Sequence, residues 1–275
     1  MIKNKVARFL KVDKELPQKI EKLKSIDCHI NDHELADILS RGDMIVQPLE
    51  DTLIEATNNN FESVAAKRDT QWFQILHALC LLGHLKSEKS LEVVLRFLAQ
   101  DEKYLKDWVY DLLDEDLWEF IFQLGQNRLD ELEYFLLHPG NNSNTKLAVI
   151  TALVQIGLHF PDKKLRVNTI LVRVLQEVNE DPDFIGLTVA ELMDYQEPML
   201  KPIILKALDE NNVLPEIISA EEVNHLYRLN KKRKIRPATI YDRYAFYRQL
   251  PYFSRKQQTA SQQQVIDVGK VEESA

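Results

Sequence analysis

The densest run of side chains able to hold a metal is Asp27-Cys28-His29-Ile30-Asn31-Asp32-His33. Cys28 and Asp32, and likewise His29 and His33, stand four apart, the separation at which two ligands meet on one helical face. The same stretch has a plainer reading. Asn31 followed by Glu34 is a capping box that opens a helix, and the acids and histidines then sit on its solvated start. A second set, His77, Cys80 and His84, falls at i, i+3 and i+7 and offers three ligands from one helix without an evident fourth. A buried cysteine in an apolar helix, with histidines at the rim, accounts for it as well. Neither set has the paired Cys-x-x-Cys spacing of a zinc site, so no metal and no cofactor is expected.

Carboxylates concentrate at Asp107, Asp111, Asp114, Glu115, Asp116 and Glu119, around Trp108 and Trp118. Paired carboxylates do acid–base work or hold a cation. Helix-start chemistry explains most of them, with Asp114 as a cap and the following acids at the positive end of a helix dipole. That leaves Asp107, Asp111 and Glu115 as a docking strip for a basic partner. No Gly-x-Ser-x-Gly, P-loop, Gly-x-Gly-x-x-Gly or His-Glu-x-x-His occurs, and a non-enzyme is expected.

The strongest functional feature is Arg228 to Lys256. Lys231, Lys232, Arg233, Lys234 and Arg236 can neutralise phosphates, and Tyr241 and Tyr244 can stack on unpaired bases, which makes a polyanion-binding segment suited to RNA or DNA. Competing readings are a solvated linker, a partner-docking segment, and a final helix from Thr239 to Leu250 that packs Ile240, Tyr244 and Tyr247 onto the last repeat.

The elements that would position these residues are helical. Trp72, Ile75, Leu76, Leu79 and Leu82 line one helical face, and after Gly83 and the polar Lys86-Ser87-Glu88, with Ser87 as N-cap, Leu91, Val94, Leu95 and Leu98 form a second stripe. Leu147, Ile150, Val154 and Leu158, then Val167, Ile170, Leu171, Val174 and Val178, make another hairpin. The hairpins match at an offset of 74: Ala78 with Ala152, Leu79 with Leu153, Gly83 with Gly157, Lys89 with Lys163, Leu91 with Leu165, Val93 with Val167. That is two steps of 37, with Trp108, Leu112, Leu113 and Leu117 through to Leu136 between them and Phe184 to Leu208 after them. A two-helix period of this length signals stacked repeats, each covering its neighbour's apolar face.

In pattern and spacing, residues 72–100 and 145–180 resemble HEAT-like repeats, which implies an all-α, HEAT/armadillo-like α-α superhelix of antiparallel helix pairs. The stretch from Pro48 to Tyr227 also resembles a bacterial family of helical domains of unknown function, through Gln47-Pro48-Leu49, Gln71-Trp72 to Gly83, Asp111 to Arg128, Lys146 to Leu153, and Ala207 to Ile218 with Glu221-Glu222-Val223. Some members of that family carry a cysteine-rich zinc-binding tail. Here the tail is rich in Lys, Arg and Tyr and lacks cysteine. The expected organisation is an N-terminal helical cap over 1–70, repeats over 71–227, a basic aromatic segment over 228–256 and a disordered tail over 257–275.

Composition sets the remaining bounds. With 45% hydrophobic residues and seven glycines in 275, the chain can fold extensively and has few tight turns. Two cysteines are too few for a disulfide framework, which points to the cytoplasm, and no stretch is apolar enough for a signal peptide or a bilayer span. Charge is segregated: +5 over residues 1–24, +9 over 228–256 and −2 over 257–275, leaving −20 for residues 25–227 of a chain with net charge −8. The function expected from this is a scaffold or adaptor whose acidic repeat surface binds a protein segment. The alternative is a nucleic-acid-associated adaptor working through the basic segment.

Overall fold

The computed structural model describes residues 15–25, 28–58, 68–108, 116–177 and 181–249. Every regular element among them is helical: α1 (Leu16–Ser25), α2 (Asp32–Leu39), α3 (Val46–Asn58), α4 (Arg68–Leu85), α5 (Leu91–Leu98), α6 (Glu102–Trp108), α7 (Leu117–Gly125), α8 (Leu129–Leu137), α9 (Ser143–His159), α10 (Lys164–Glu177), α11 (Pro182–Leu192), α12 (Lys201–Glu210), α13 (Ala220–Leu229) and α14 (Ile240–Gln249). Helix starts follow local chemistry. Asn31 Oδ1 accepts from Glu34 N at 2.9 Å to open α2, Asn142 Oδ1 accepts from Asn144 N at 2.8 Å to open α9, and Asp181 Oδ1 accepts from Phe184 N at 2.8 Å ahead of Pro182 in α11.

The helices stack in two layers. One runs α4, α7, α9, α11, each packed on the next, and the other runs α8, α10, α12, with α13 closing the far end. α1 and α3 pack on α4 at the near end. Polar bonds between the units keep the repeat length: Ser90 Oγ donates to Glu50 at 2.6 Å, Lys163 Nζ to the Gln126 carbonyl at 2.6 Å, Thr151 Oγ1 to Glu191 at 2.8 Å and Arg173 to Glu133 at 2.7 Å, all between residues 37 to 40 apart. This is an all-α repeat fold of packed helix pairs. No helix among the described residues is long and apolar enough to cross a membrane.

Three details depart from the sequence reading. Ser87 makes no side-chain cap, because a 3-10 turn over Glu88–Ser90 delays α5 to Leu91. Without that turn before α10, the register slips, and Leu91 is buried while its counterpart Leu165 is exposed. The stripes on α4 and α9 also understate their burial. Ile75, Leu76, Ala78, Leu79, Leu81 and Leu82, and Ala148 through Ile156 apart from Thr151, are buried on every side of their helices, because something covers the face an open stack would leave wet.

Repeat equivalence is strongest at the glycines. A Cβ on Gly157 would lie 2.5 Å from Tyr195 Oη and 2.8 Å from its Cζ, whereas one on Gly83 would meet Phe120 Cδ1 at 3.2 Å. Both positions let the next unit's aromatic ring approach the helix backbone. Overpacking costs about 1–3 kcal/mol and alanine returns about 1 kcal/mol of helix propensity. Gly157→Ala is therefore expected to lower the urea midpoint at unchanged slope and Gly83→Ala to be close to neutral. Equal midpoints for the two variants would contradict the packing described here.

Candidate functional site

What covers the α4–α7–α9–α11 face is the basic segment itself. Asn230 ends α13 in the left-handed region at φ 48°, and residues 231–239 then run extended back along the stack toward the N-terminal end. The contacts fall in reverse chain order. Gln196 Nε2 donates to the Lys231 carbonyl at 3.2 Å, and Arg233 N donates to the Asp194 carbonyl at 2.9 Å. On α9, Gln155 uses both ends of its amide: Nε2 donates to the Arg233 carbonyl at 3.1 Å and Oε1 accepts from Ile235 N at 2.9 Å. His159 Nε2 lies 2.8 Å from the Ile235 carbonyl and completes the clamp, much as a neighbouring strand would pair. On α7, Glu119 Oε2 accepts from Ala238 N at 2.9 Å.

The strap ends in α14, which inserts side chains into the body. Arg243, only 7% exposed, pairs with both Asp116 and Glu119 and lies 5.8 Å from the Phe120 ring. Tyr247 Oη donates to Asp116 Oδ2 at 2.7 Å. Tyr244 is fully buried, stacks on His77 with the planes 8° apart, and has its hydroxyl 2.5 Å from His77 Nδ1. Burial raises the Tyr244 phenol well above its ordinary value, so it keeps its proton for that bond. At the outer end, Arg248 donates to Asp32 Oδ1 at 2.9 Å. The strap thereby joins the last helices of the stack to the first.

Electrostatics follow from this burial. At the strap's start, Glu197 receives Lys232 and, at 2.8 Å, Lys164. Burial opposes its charge, yet the hydrogen bonds and charges of the two lysines hold its carboxyl below the ordinary carboxylate value. Asp116 and Glu119 share one guanidinium, which leaves one negative charge in excess when both are ionised. Burial pushes the Glu119 carboxyl up to about 7, against the hydrogen bond from Ala238 N–H. Two cavities flank the strap: one of about 480 Å³ lined by Cys80, His84, Phe120, His159 and Arg236, and one of about 370 Å³ lined by Trp118, Thr151, Glu191, Asp194 and Arg233. Burial pushes the Cys80 thiol up to about 12, which leaves it protonated and a poor nucleophile or ligand near neutrality.

The sequence-derived residues divide accordingly. Lys231, Lys234 and Arg236 are exposed and have no ion pair among the described residues. The Arg233 side chain is 72% exposed, 3.9 Å from Asp194. Lys232 turns inward to Glu197, Tyr241 is exposed, and Tyr244 offers no free ring face. The helix expected over Thr239 to Leu250 is present as α14 and buries Ile240, Tyr244 and Tyr247. It lies on α4, the first unit, and not on the last repeat as expected, since α13 already packs on α12 and the polar partners stand at the near end. Asp111, Asp114, Glu115 and residues 257–275 lie outside the described residues, as does the side chain of Asp107; Asp116 precedes α7 without capping it and is spent on α14. Cys28 is buried and Asp32 pairs with Arg248. Sequence reasoning missed Gln155, His159, Asp194, Glu197 and Arg243. A signal existed for Gln155, a single amide inside the apolar run Ala152 to Ile156.

A family model described as "protein of unknown function (DUF1186)" matches residues 14–250, so the strap and α14 fall within the matched span. No curated protein and no solved structure gives a significant match.

The raised Glu119 carboxyl makes stability depend on pH. With a folded value of about 7 against an ordinary 4.5, the folded chain binds more protons than the unfolded chain between those limits. Its contribution is complete below the lower value and is lost as pH rises through the upper one. Glu119→Gln keeps an acceptor for Ala238 N–H and removes the titration. Urea midpoints at pH 5 and pH 8 should differ less in Glu119→Gln than in the parent chain, and an unchanged difference would show that Glu119 is not the group responsible.

Proposed function

We propose that this chain, which belongs to the DUF1186 family, is a non-catalytic adaptor that binds protein segments along the α4–α7–α9–α11 face. One observation carries the reading: that face holds an extended polypeptide by side-chain bonds to its backbone, with Gln155 reading the carbonyl of one residue and the N–H two residues on. Backbone reading of this kind is how a surface grips extended segments of varied sequence. The negative charge of residues 25–227, with Asp116, Glu119, Asp194 and Glu197 under the strap, selects for cationic segments. A cytoplasmic location goes with this reading, from two buried free cysteines.

A second reading rests on the strap's outer side. Lys231, Lys234 and Arg236 are exposed along the strap and exposed Tyr241 follows at the start of α14, a mixture suited to single-stranded RNA or DNA. Two variants of the full chain separate the readings. Gln155→Ala with Glu197→Gln should abolish recovery of a defined protein partner and leave any gel shift of single-stranded RNA unchanged. Lys231→Glu with Lys234→Glu should do the reverse if nucleic acid is the ligand. Recovery of the same partner by the groove variant would overturn the adaptor reading.

A further inference from the structure

The strap is a worked example of what the face accepts, and its contacts fall into two classes. Gln155, His159 and the Asp194 carbonyl touch only backbone and so ignore sequence. Glu197 takes Lys232, Asp116 and Glu119 take Arg243, His77 takes Tyr244, and Asp116 also takes Tyr247, so these positions are read by side chain. Ile235 packs against the core between them. Lys231, Lys234 and Arg236 are exposed, have no ion pair among the described residues and are unread. The pattern read is therefore Lys-x-x-Ile, seven residues, then Arg-Tyr-x-x-Tyr, with the first part extended and the second helical.

We infer that the strap is a ligand held in cis, and that the partner of this face is a protein segment of the same chemistry: a lysine-bearing extended stretch followed by a short helix presenting Arg, Tyr and Tyr at i, i+1 and i+4, which binds by taking the strap's place. This rests on the adaptor reading above and adds the partner's chemistry and the condition for binding. Charge complementarity supports it, since the face carries Glu197, Asp116 and Glu119 where the inward cations Lys232 and Arg243 lie, and Asp194 beside the exposed Arg233. The linkage also supports it. Asn230 is a single left-handed residue between α13 and the strap, and Leu229, Asn230 and Lys231 are all exposed, so the strap departs from an accessible joint. Attachment in cis raises the strap's effective concentration to about the millimolar range, which keeps the face closed to weak competitors.

The test uses the full chain with a specific protease site built at Leu229–Lys231. After cleavage, a fluorescent peptide of residues 231–249 is added, and exchange is followed by anisotropy and native mass spectrometry. The labelled peptide is expected to replace the cut strap, more weakly as salt is raised. Peptides with Lys232→Ala or Arg243→Ala should bind at least about tenfold less well, as should the parent peptide on a chain with Glu197→Gln. Should cleavage unfold the chain, the uncut chain weakened by Lys232→Ala and Tyr244→Phe provides the same readout, with binding of the peptide expected above that of the uncut parent. A scrambled peptide of equal composition binding as well would overturn the inference, and so would no exchange in either chain. Failure here together with a groove variant that still loses its partner would refute the partner chemistry alone; a groove variant that keeps its partner would refute both readings.

Discussion

A buried polar group must find a partner, and on the α4–α7–α9–α11 face that partner is the strap. Gln155 on α9, His77 on α4 and Asp116 just before α7 are all buried among largely apolar side chains. Leaving one such group unmatched costs about 1–3 kcal/mol, and more for a charge. The strap supplies carbonyls and amides to Gln155, a guanidinium to Asp116 and Glu119, and a phenol to His77. An uncovered face would have to take up water at every one of these points.

This constraint explains the segregated charge. An acidic body and a basic terminal segment would be a liability as separate surfaces; laid together they neutralise each other where desolvation makes isolated charge most costly. Lys232, Arg233, Arg243 and Arg248 each meet a carboxylate. Lys231, Lys234 and Arg236, which have no ion pair among the described residues, are exposed to solvent, where an unpaired charge costs little. Anything that displaced the strap would have to supply the same matches.

Helical character, pairing and the near-37-residue spacing were legible because burial of one face against the next unit imposes a period on the apolar residues. The offset that aligns Ala78 with Ala152 and Gly83 with Gly157 survives in three dimensions as packing of each glycine on the following unit's aromatic residue. It fails at Leu165, because the 3-10 turn that precedes Leu91 has no counterpart before α10, a local backbone event that side-chain spacing does not encode. The final helix was legible with its buried apolar and aromatic residues, Ile240, Tyr244 and Tyr247, while the buried Arg243 was not. Its docking place was not, because amphipathicity states that a helix has an apolar face and says nothing of which surface covers it. The groove was hidden for a related reason: Gln155 and Tyr244 stand far apart in the chain and belong to one site only after the strap has crossed the stack.

The face is closed only if the strap lies against the body in solution. Amide hydrogen exchange at Ile235 and Ala238 measures this directly, since their N–H groups donate to Gln155 and Glu119 and to nothing within the strap. Exchange is expected to be at least about a hundredfold slower at both positions than in the isolated peptide, and accelerated at Ile235 by Gln155→Ala. Exchange at the free-peptide rate, with the rest of the stack still protected, would contradict it.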